Sequence, residues 1–177
     1  MELLEHICDR PEEDLALDEL MLLKAENGGS GETLRFWSRK EYSVVLGRAG
    51  KHEAECFKGP CRRDGLRVLR RASGGGTVLQ GPGCLNYSAV ISYSRTPGLK
   101  DVLRSYSYLL EMISGALRQR GFPVEFLPLS DLAMDGRKVS GNAQARKKEY
   151  FLHHGTLLFD MDIEKVSRYL RHPGKEP

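Results

Sequence analysis

Leu103, Tyr106, Leu110, Ile113 and Leu117 step by three, four, three and four residues, the clearest helical repeat in the chain. The spacing puts five apolar side chains on one stripe and predicts a helix over 102–120, with Gly121 as its C-terminal cap. Such a stripe has to be laid on something, and the flanking segments supply strands. TLRFW and SVVLG surround the polar turn SRKEY; LRVLRRAS, TVLQ and LNYSAVISY follow; VEFLPL, DLAMD, KVSGNA and YFLHHGTLLFD come after the helix. The strands arrive in hairpin-like runs rather than in the regular strand–helix alternation of a parallel sheet. The expected fold is therefore α+β, a mixed and largely antiparallel sheet flanked by helices. Two more helices are expected. One covers 14–27, where Leu15, Leu20 and Leu23 give an apolar face and Asn27-Gly28-Gly29 ends it. The other is the short IEKVSRYL, capped by Asp162.

The segment RRASGGGTVLQGPGCLNYS sets three consecutive glycines directly after two arginines. Neither the P-loop nor the dinucleotide-binding glycine pattern is present. What remains is a strand, Arg70 and Arg71, then Ser73, Gly74, Gly75 and Gly76, then another strand. Glycines let backbone approach a ligand closely, and successive N–H groups can cradle an anion, with the arginines as charged donors. A flexible hairpin with solvated arginines fits the same residues.

A second cluster lies in DGRKVSGNAQARKKEYFLHHGTLLFD. Asp135-Gly136 is a strong two-residue hairpin turn that sets Lys138 near a strand tip. A lysine held in a ligand site can partner a phosphate or carboxylate and stabilise a developing anion; an exposed lysine past a tight turn is the plain alternative. His153 and His154 alternate sides on a strand, so only one can face a given pocket.

Charge and cysteines narrow the class. The 27 Lys and Arg against 24 Asp and Glu leave +3, too little to argue for nucleic acid. Four cysteines, Cys8, Cys56, Cys61 and Cys84, show no zinc-ligand spacing, and no protein metal site is expected. The acidic N-terminus lacks an apolar signal core, and no apolar run reaches the ~18 residues that span a bilayer. A cytoplasmic protein with reduced thiols, binding neither nucleic acid nor membrane, is expected.

Taken together these segments resemble the lipoate–protein ligase A family. RRASGGGTVLQGPGCLNYS is similar to its R-R-x-[ST]-G-G-G-x-V-x-H…G-x-L-N-x-S motif, and SDLAMDGRKVSGNAQARKKEYFLHHGTLLFDMD to its N-D-x-x-x-x-G-[RK]-K-[IV]-S-G-[NS]-A…H-H-G-T-L-L segment. DLALDE resembles the opening helix motif N-L-A-x-D-E, and LRFWSRKEYSVVLGR the first strand pair. The similarity runs in order from about Leu15 to Asp162. The chain departs from the pattern at Gln80, where the family has His, at Gly50-Lys51, where it often has Gln-Asn, and at Asp14, where it has Asn.

The resemblance implies the fold shared by biotin and lipoate protein ligases and octanoyltransferases. It implies activation of lipoate by Mg-ATP to lipoyl-adenylate, then transfer to a lysine of a lipoyl-carrier domain such as a dehydrogenase E2 or glycine-cleavage H-protein. By the same resemblance Lys138 is the catalytic residue. Arg70, Arg71, Ser73, Gly74, Gly75, Gly76, Asn86, Ser140, Gly141, Asn142, Ala143, His154, Gly155 and Thr156 bind substrate or adenylate. Val44, Leu46 and Val78 wall the acyl chain, and Mg²⁺ bridges phosphates with few protein ligands. Residues 1–177 read as one catalytic domain, short at its C-terminal end RHPGKEP and without an accessory domain, which a separate subunit could supply. Two alternatives stay open. One is an ATP-independent octanoyl or lipoyl transferase working through a cysteine thioester. Its nucleophile would precede the G-R-K motif, where this chain has no cysteine, leaving Cys84 as the candidate. The other is a non-catalytic lipoate-binding module.

Overall fold

The computed structural model describes residues 1–172. In chain order the elements are β1 (Glu2–Leu4), α1 (Pro11–Glu26), β2 (Thr33–Ser38), β3 (Ser43–Leu46), α2 (His52–Glu55), α3 (Lys58–Arg63), β4 (Arg67–Arg70), β5 (Val78–Gln80), β6 (Cys84–Ser92), α4 (Val102–Gln119), β7 (Val124–Leu127), β8 (Asp131–Met134), β9 (Arg137–Arg146), β10 (Tyr150–Leu158) and α5 (Ile163–Tyr169). The expected α+β architecture is present, but as two sheets. The larger has seven strands in the order β1-β2-β6-β10-β9-β8-β7, the smaller three in the order β4-β3-β5. β1 pairs parallel with β2 and β4 parallel with β3; the other pairings are antiparallel. The SRKEY turn therefore does not close a hairpin. It carries the chain from the large sheet to the small one.

The helices start and stop where their sequences dictate. Pro11 occupies the first turn of α1 beside Glu12, Glu13 and Asp14, where a missing N–H costs nothing and negative charge meets the helix dipole. The buried stripe of α1 is Asp14, Leu15, Asp18, Met21, Leu22 and Ala25, while Leu20, expected on the apolar face, is exposed. Two carboxylates on a core-facing stripe need partners, and those partners build the site described below. Asp101 caps α4 by accepting from the Arg104 N–H at 2.8 Å, and Gly121 ends it at φ +89°. Tyr106, Leu110, Ile113 and Leu117 pack on Val124, Phe126, Leu132, Met134 and Leu157 as the stripe predicts, but Leu103 is exposed.

Register decides what each face of the large sheet carries, because side chains alternate along every strand. Ala89, Ile91 and Phe151 meet Leu99 and Leu109 on the α4 side. Val90 and Leu152 meet Met21, Leu22 and Ala25 of α1 on the other. His153 falls on the α4 face, fully buried, its ring edge-on to Tyr106 and stacked with Tyr87. Burial, with a contribution from His154, pushes its pKa down to about 3. The unfolded chain takes up a proton near pH 6.5 that the folded one refuses until about 3. Stability should therefore rise with pH across that window. Melting curves between pH 7 and pH 4 should show a steeper acid-side loss for the parent than for His153→Gln.

Candidate functional site

Two cross-strand rows on the α1 face lie side by side. One runs Trp37–Asn86–Thr156–Gly141–Asp131, each residue directly opposite the next, across β2, β6, β10, β9 and β8. The other runs Arg35–Ser88–His154–Ala143. At roughly 4.8 Å per strand the first row spans roughly 19 Å. The small sheet covers its Trp37 end, where Val45 and Val78 pack against Leu15, Trp37 and Leu69. Between the layers lies a cavity of about 700 Å³.

The glycine segment joins β4 to β5 and forms one wall. Arg71 organises it. The guanidinium donates to the Gly74 and Gly76 carbonyls at 2.6 and 2.8 Å, to Ser73 Oγ at 3.0 Å and to the Val45 carbonyl at 3.3 Å. A Cβ on Gly47 would overlap the Gly75 carbonyl, and Gly75 sits at φ +86°, so glycine is required at both. The N–H groups of residues 74–76 donate to no acceptor among the described residues. Arg71 is buried, lines the cavity and has no carboxylate partner among the described residues; burial lowers its pKa. A buried cation with no carboxylate in contact, Glu55 acting on it only from a distance, beside free backbone donors is a place for an anion.

A buried polar network reaches this wall from α1. Asp14 accepts from the Arg35 and Arg39 guanidinium groups. Asp18 Oδ1 accepts from Arg35 Nη1 at 3.1 Å, and Oδ2 accepts from Ser88 Oγ at 2.6 Å. Oδ2 also lies 3.1 Å from His154 Nδ1, and His154 Nε2 lies 2.6 Å from Ser73 Oγ. A carboxylate only accepts, so Nδ1 carries the proton. In the neutral ring Nε2 then accepts from the Ser73 hydroxyl, which itself accepts from Arg71 Nε. The chain Arg35–Asp18–His154–Ser73–Arg71 thus ties helix, large sheet and glycine segment together.

The opposite wall is the β8–β9 hairpin. Asp135 and Gly136 both have positive φ, +52° and +70°, the geometry of the two-residue turn expected there. Lys138 follows, and its Nζ pairs with Asp131 Oδ2 at 2.6 Å. The lysine stem lies over Gly141, where a Cβ would come within 3.2 Å of Lys138 Cε. Asn142 donates to the Ser130 carbonyl at 2.7 Å and to Ser140 Oγ at 3.1 Å, and accepts from the Tyr87 hydroxyl. A Cβ on Gly155 would strike that Asn142 side chain.

Of the residues expected in the site, Arg71, Gly75, Gly76, Asn86, Lys138, Gly141, Asn142, Ala143, His154, Gly155, Thr156 and Val78 line one cavity. The others stand behind it. Arg70 donates to the carbonyls of Gly47, Arg48 and Gly50 and holds the loop after β3. Ser73 backs His154, Gly74 is pinned through its carbonyl, and Ser140 is buried beneath Asn142. Val44 and Leu46 do not line the cavity. Val44 packs on Cys56, Cys61, Leu79 and Tyr169, because the strand phase turns Val45, not Val44, toward Trp37. Asp18, Trp37, Glu55, Tyr87, Asp131 and Arg171 also line the cavity without having been anticipated. Asp18 had a signal: a carboxylate four residues after another on a helix whose stripe is otherwise apolar. Glu55 and Arg171 had none, since one ends the four-residue α2 and the other follows α5, far apart in sequence.

Cys84 is buried outside the cavity lining, and burial pushes its thiol up to about 11. A nucleophilic thiol needs the opposite shift and access. Cys84→Ser should keep acyl-transfer activity within about twofold of the parent in a steady-state assay. Among the described residues no cysteine lines the cavity, no three metal-ligating side chains cluster, and no helix is long and apolar enough to cross a membrane.

Residues 10–176 match the lipoyl protein ligase A/B catalytic domain. A probable lipoate-protein ligase A of Mycoplasma pneumoniae is 31% identical over 155 residues, covering 88% of this chain and 44% of the relative. The octanoyltransferase LipM of Carboxydothermus hydrogenoformans is 30% identical over 184 residues, covering 95% and 68%. The bipartite lipoate protein ligase of Thermoplasma acidophilum, described with its E2 lipoyl domain, superposes with a TM-score of 0.83 at 27% identity, over 98% of this chain and 67% of that one. The chain thus spans less than half of the first relative's length.

Proposed function

This chain belongs to the lipoyl protein ligase A/B catalytic domain family, and on that premise we propose that it activates lipoate with ATP and passes the lipoyl group to a carrier lysine. The observation that carries the proposal is the pairing of two cations across one cavity. Arg71 is buried there with no carboxylate in ion-pair contact, Glu55 acting on it only through space, and Lys138 reaches over Gly141 from the facing hairpin. An acid and a nucleotide phosphate that must meet are both anions, and such a site relieves their repulsion. In the first step a lipoate carboxylate oxygen attacks the α-phosphorus and pyrophosphate leaves. In the second, a lysine ε-amino group of a lipoyl-carrier domain attacks the acyl carbonyl and AMP leaves. Lys138 trades its pairing with Asp131 for the carbonyl and α-phosphate oxygens, stabilising charge in both steps. Arg71 and the free N–H groups of residues 74–76 take the second anionic group. Asn86, Asn142, Ala143, His154, Gly155 and Thr156 shape the walls, held by Arg70, Ser73, Gly74 and Ser140. Asp131, Glu55 and Asp18 are carboxylates on the lining. Asp18 is held by Arg35, Ser88 and His154, so Asp131 or Glu55 would be the carboxylate to hold Mg²⁺ alongside phosphate groups, and bound Mg²⁺ would neutralise phosphate charge.

The test is the product. Lipoate, ATP and the purified chain should release pyrophosphate in step with lipoyl-adenylate, followed by mass spectrometry. A second reading draws on the LipM relative: octanoyl transfer between carriers without ATP. Octanoylation of an apo-carrier from an octanoyl-carrier, with no ATP present, would favour it. A cavity lined by no cysteine among the described residues supports the first reading over the second.

A further inference from the structure

We propose that Gln80 selects the acyl group by its tail, favouring a sulfur-bearing dithiolane over a saturated hydrocarbon end; this rests on the lipoate reading above. Gln80 stands on the cavity lining and is 9% exposed. Its carboxamide makes no hydrogen bond among the described residues and is not sealed from the open space of the cavity. Water can satisfy such an amide while the cavity is open, but a ligand that displaces the water must offer a partner of its own or leave the amide unpaired.

Register says which part of the ligand that is. Val78 and Gln80 share one face of β5 (two residues apart), and Val78 packs against Trp37 and Leu15. Trp37 begins the cross-strand row that ends at Asp131, the partner of Lys138. Gln80 therefore sits toward the end of the cavity away from the reacting centre, where an acyl chain with its carboxyl at Lys138 finishes. Trp37 also leaves its indole N–H without an acceptor. Leu15 and Val78 add apolar surface beside them, and Asn86, opposite Trp37, has its amide turned to the Trp37 carbonyl. Ring sulfurs are soft, weak acceptors that an amide N–H can address, whereas a terminal methyl would cover the Gln80 amide and leave it unpaired. Sites built with a polar group discriminate against ligands that lack its partner.

The test is direct binding of the free acids by calorimetry, without ATP. The parent should bind lipoate at least about tenfold more tightly than octanoate, which is about 1.4 kcal/mol. Gln80→Leu should narrow that ratio to about threefold or less, chiefly by strengthening octanoate binding. Gln80→Met, closer in shape, gives the same readout if the leucine variant does not fold. Equal affinities in the parent, or an unchanged ratio in the folded variant, overturn the proposal. The two readings fail separately. ATP-dependent activation with equal binding of both acids sinks only the role of Gln80. A lipoate preference that Gln80→Leu erases, in a protein that transfers acyl groups without ATP, sinks only the ligase reading.

Discussion

Lys138→Ala should lower lipoyl-adenylate formation by about 10²- to 10³-fold, the cost of deleting one preorganised donor to a developing oxyanion. The hairpin that carries the lysine is held by its own backbone pairing and by Asn142, so the fold should survive the change. Nζ is paired with Asp131 on a half-exposed side chain, an ion pair whose contribution to stability is small. Loss of activity with an unchanged melting temperature is the expected signature. Lys138→Arg should not rescue fully, because a planar fork cannot reproduce a compact ammonium over Gly141. A variant that keeps more than about a tenth of parental adenylation would remove Lys138 from the chemistry.

Asp18→Ala should act on stability and activity together. It leaves the fully buried Arg35 with Asp14 as its one remaining carboxylate, and removes the acceptor of Ser88 Oγ and His154 Nδ1. Breaking a buried ionic network in this way costs about 3 kcal/mol or more. For a domain of this size that is a fall of roughly 6–12 °C in melting temperature. The His154 ring then loses the bond that fixes its tautomer, and with it the Ser73–Arg71 contact behind the glycine segment. Asp18→Asn keeps the shape and an acceptor oxygen, so it should recover part of the stability but less of the activity. Thermal melting and adenylation rates on the same samples separate the two effects. Parental melting and parental turnover in Asp18→Ala would show the network to be incidental.

Much of this architecture is legible in the residues. The α4 stripe, the Asp135-Gly136 turn and the Asp162 cap each rest on local rules, and local rules suffice for them. The division into two sheets is not local. TLRFW and SVVLG look like hairpin partners, yet β2 pairs with β1 and β6 while β3 pairs with β4 and β5. The wrong wall residues in β3 follow from the same gap. Val44 and Val45 are equally apolar, and only the position of the small sheet over Trp37 decides which packs against the indole; neither lines the cavity. The role of Arg71 was half visible: two arginines before glycines suggest an anion, but not that one of them would also hold the glycine carbonyls in place. Asp18 illustrates the remaining limit. Two carboxylates four residues apart on an apolar stripe signal a buried polar contact, but not that Arg35 and His154 are the partners.

If the carboxylate becomes an acyl-adenylate before the amide forms, one of its oxygens must leave with AMP. Lipoate labelled with ¹⁸O in both carboxyl oxygens would be incubated with the protein, Mg-ATP and an apo-carrier domain, and the AMP analysed by mass spectrometry. Each AMP should carry one ¹⁸O, taken over when the amine displaces it from the carbonyl. Lipoylated carrier formed without labelled AMP would contradict it.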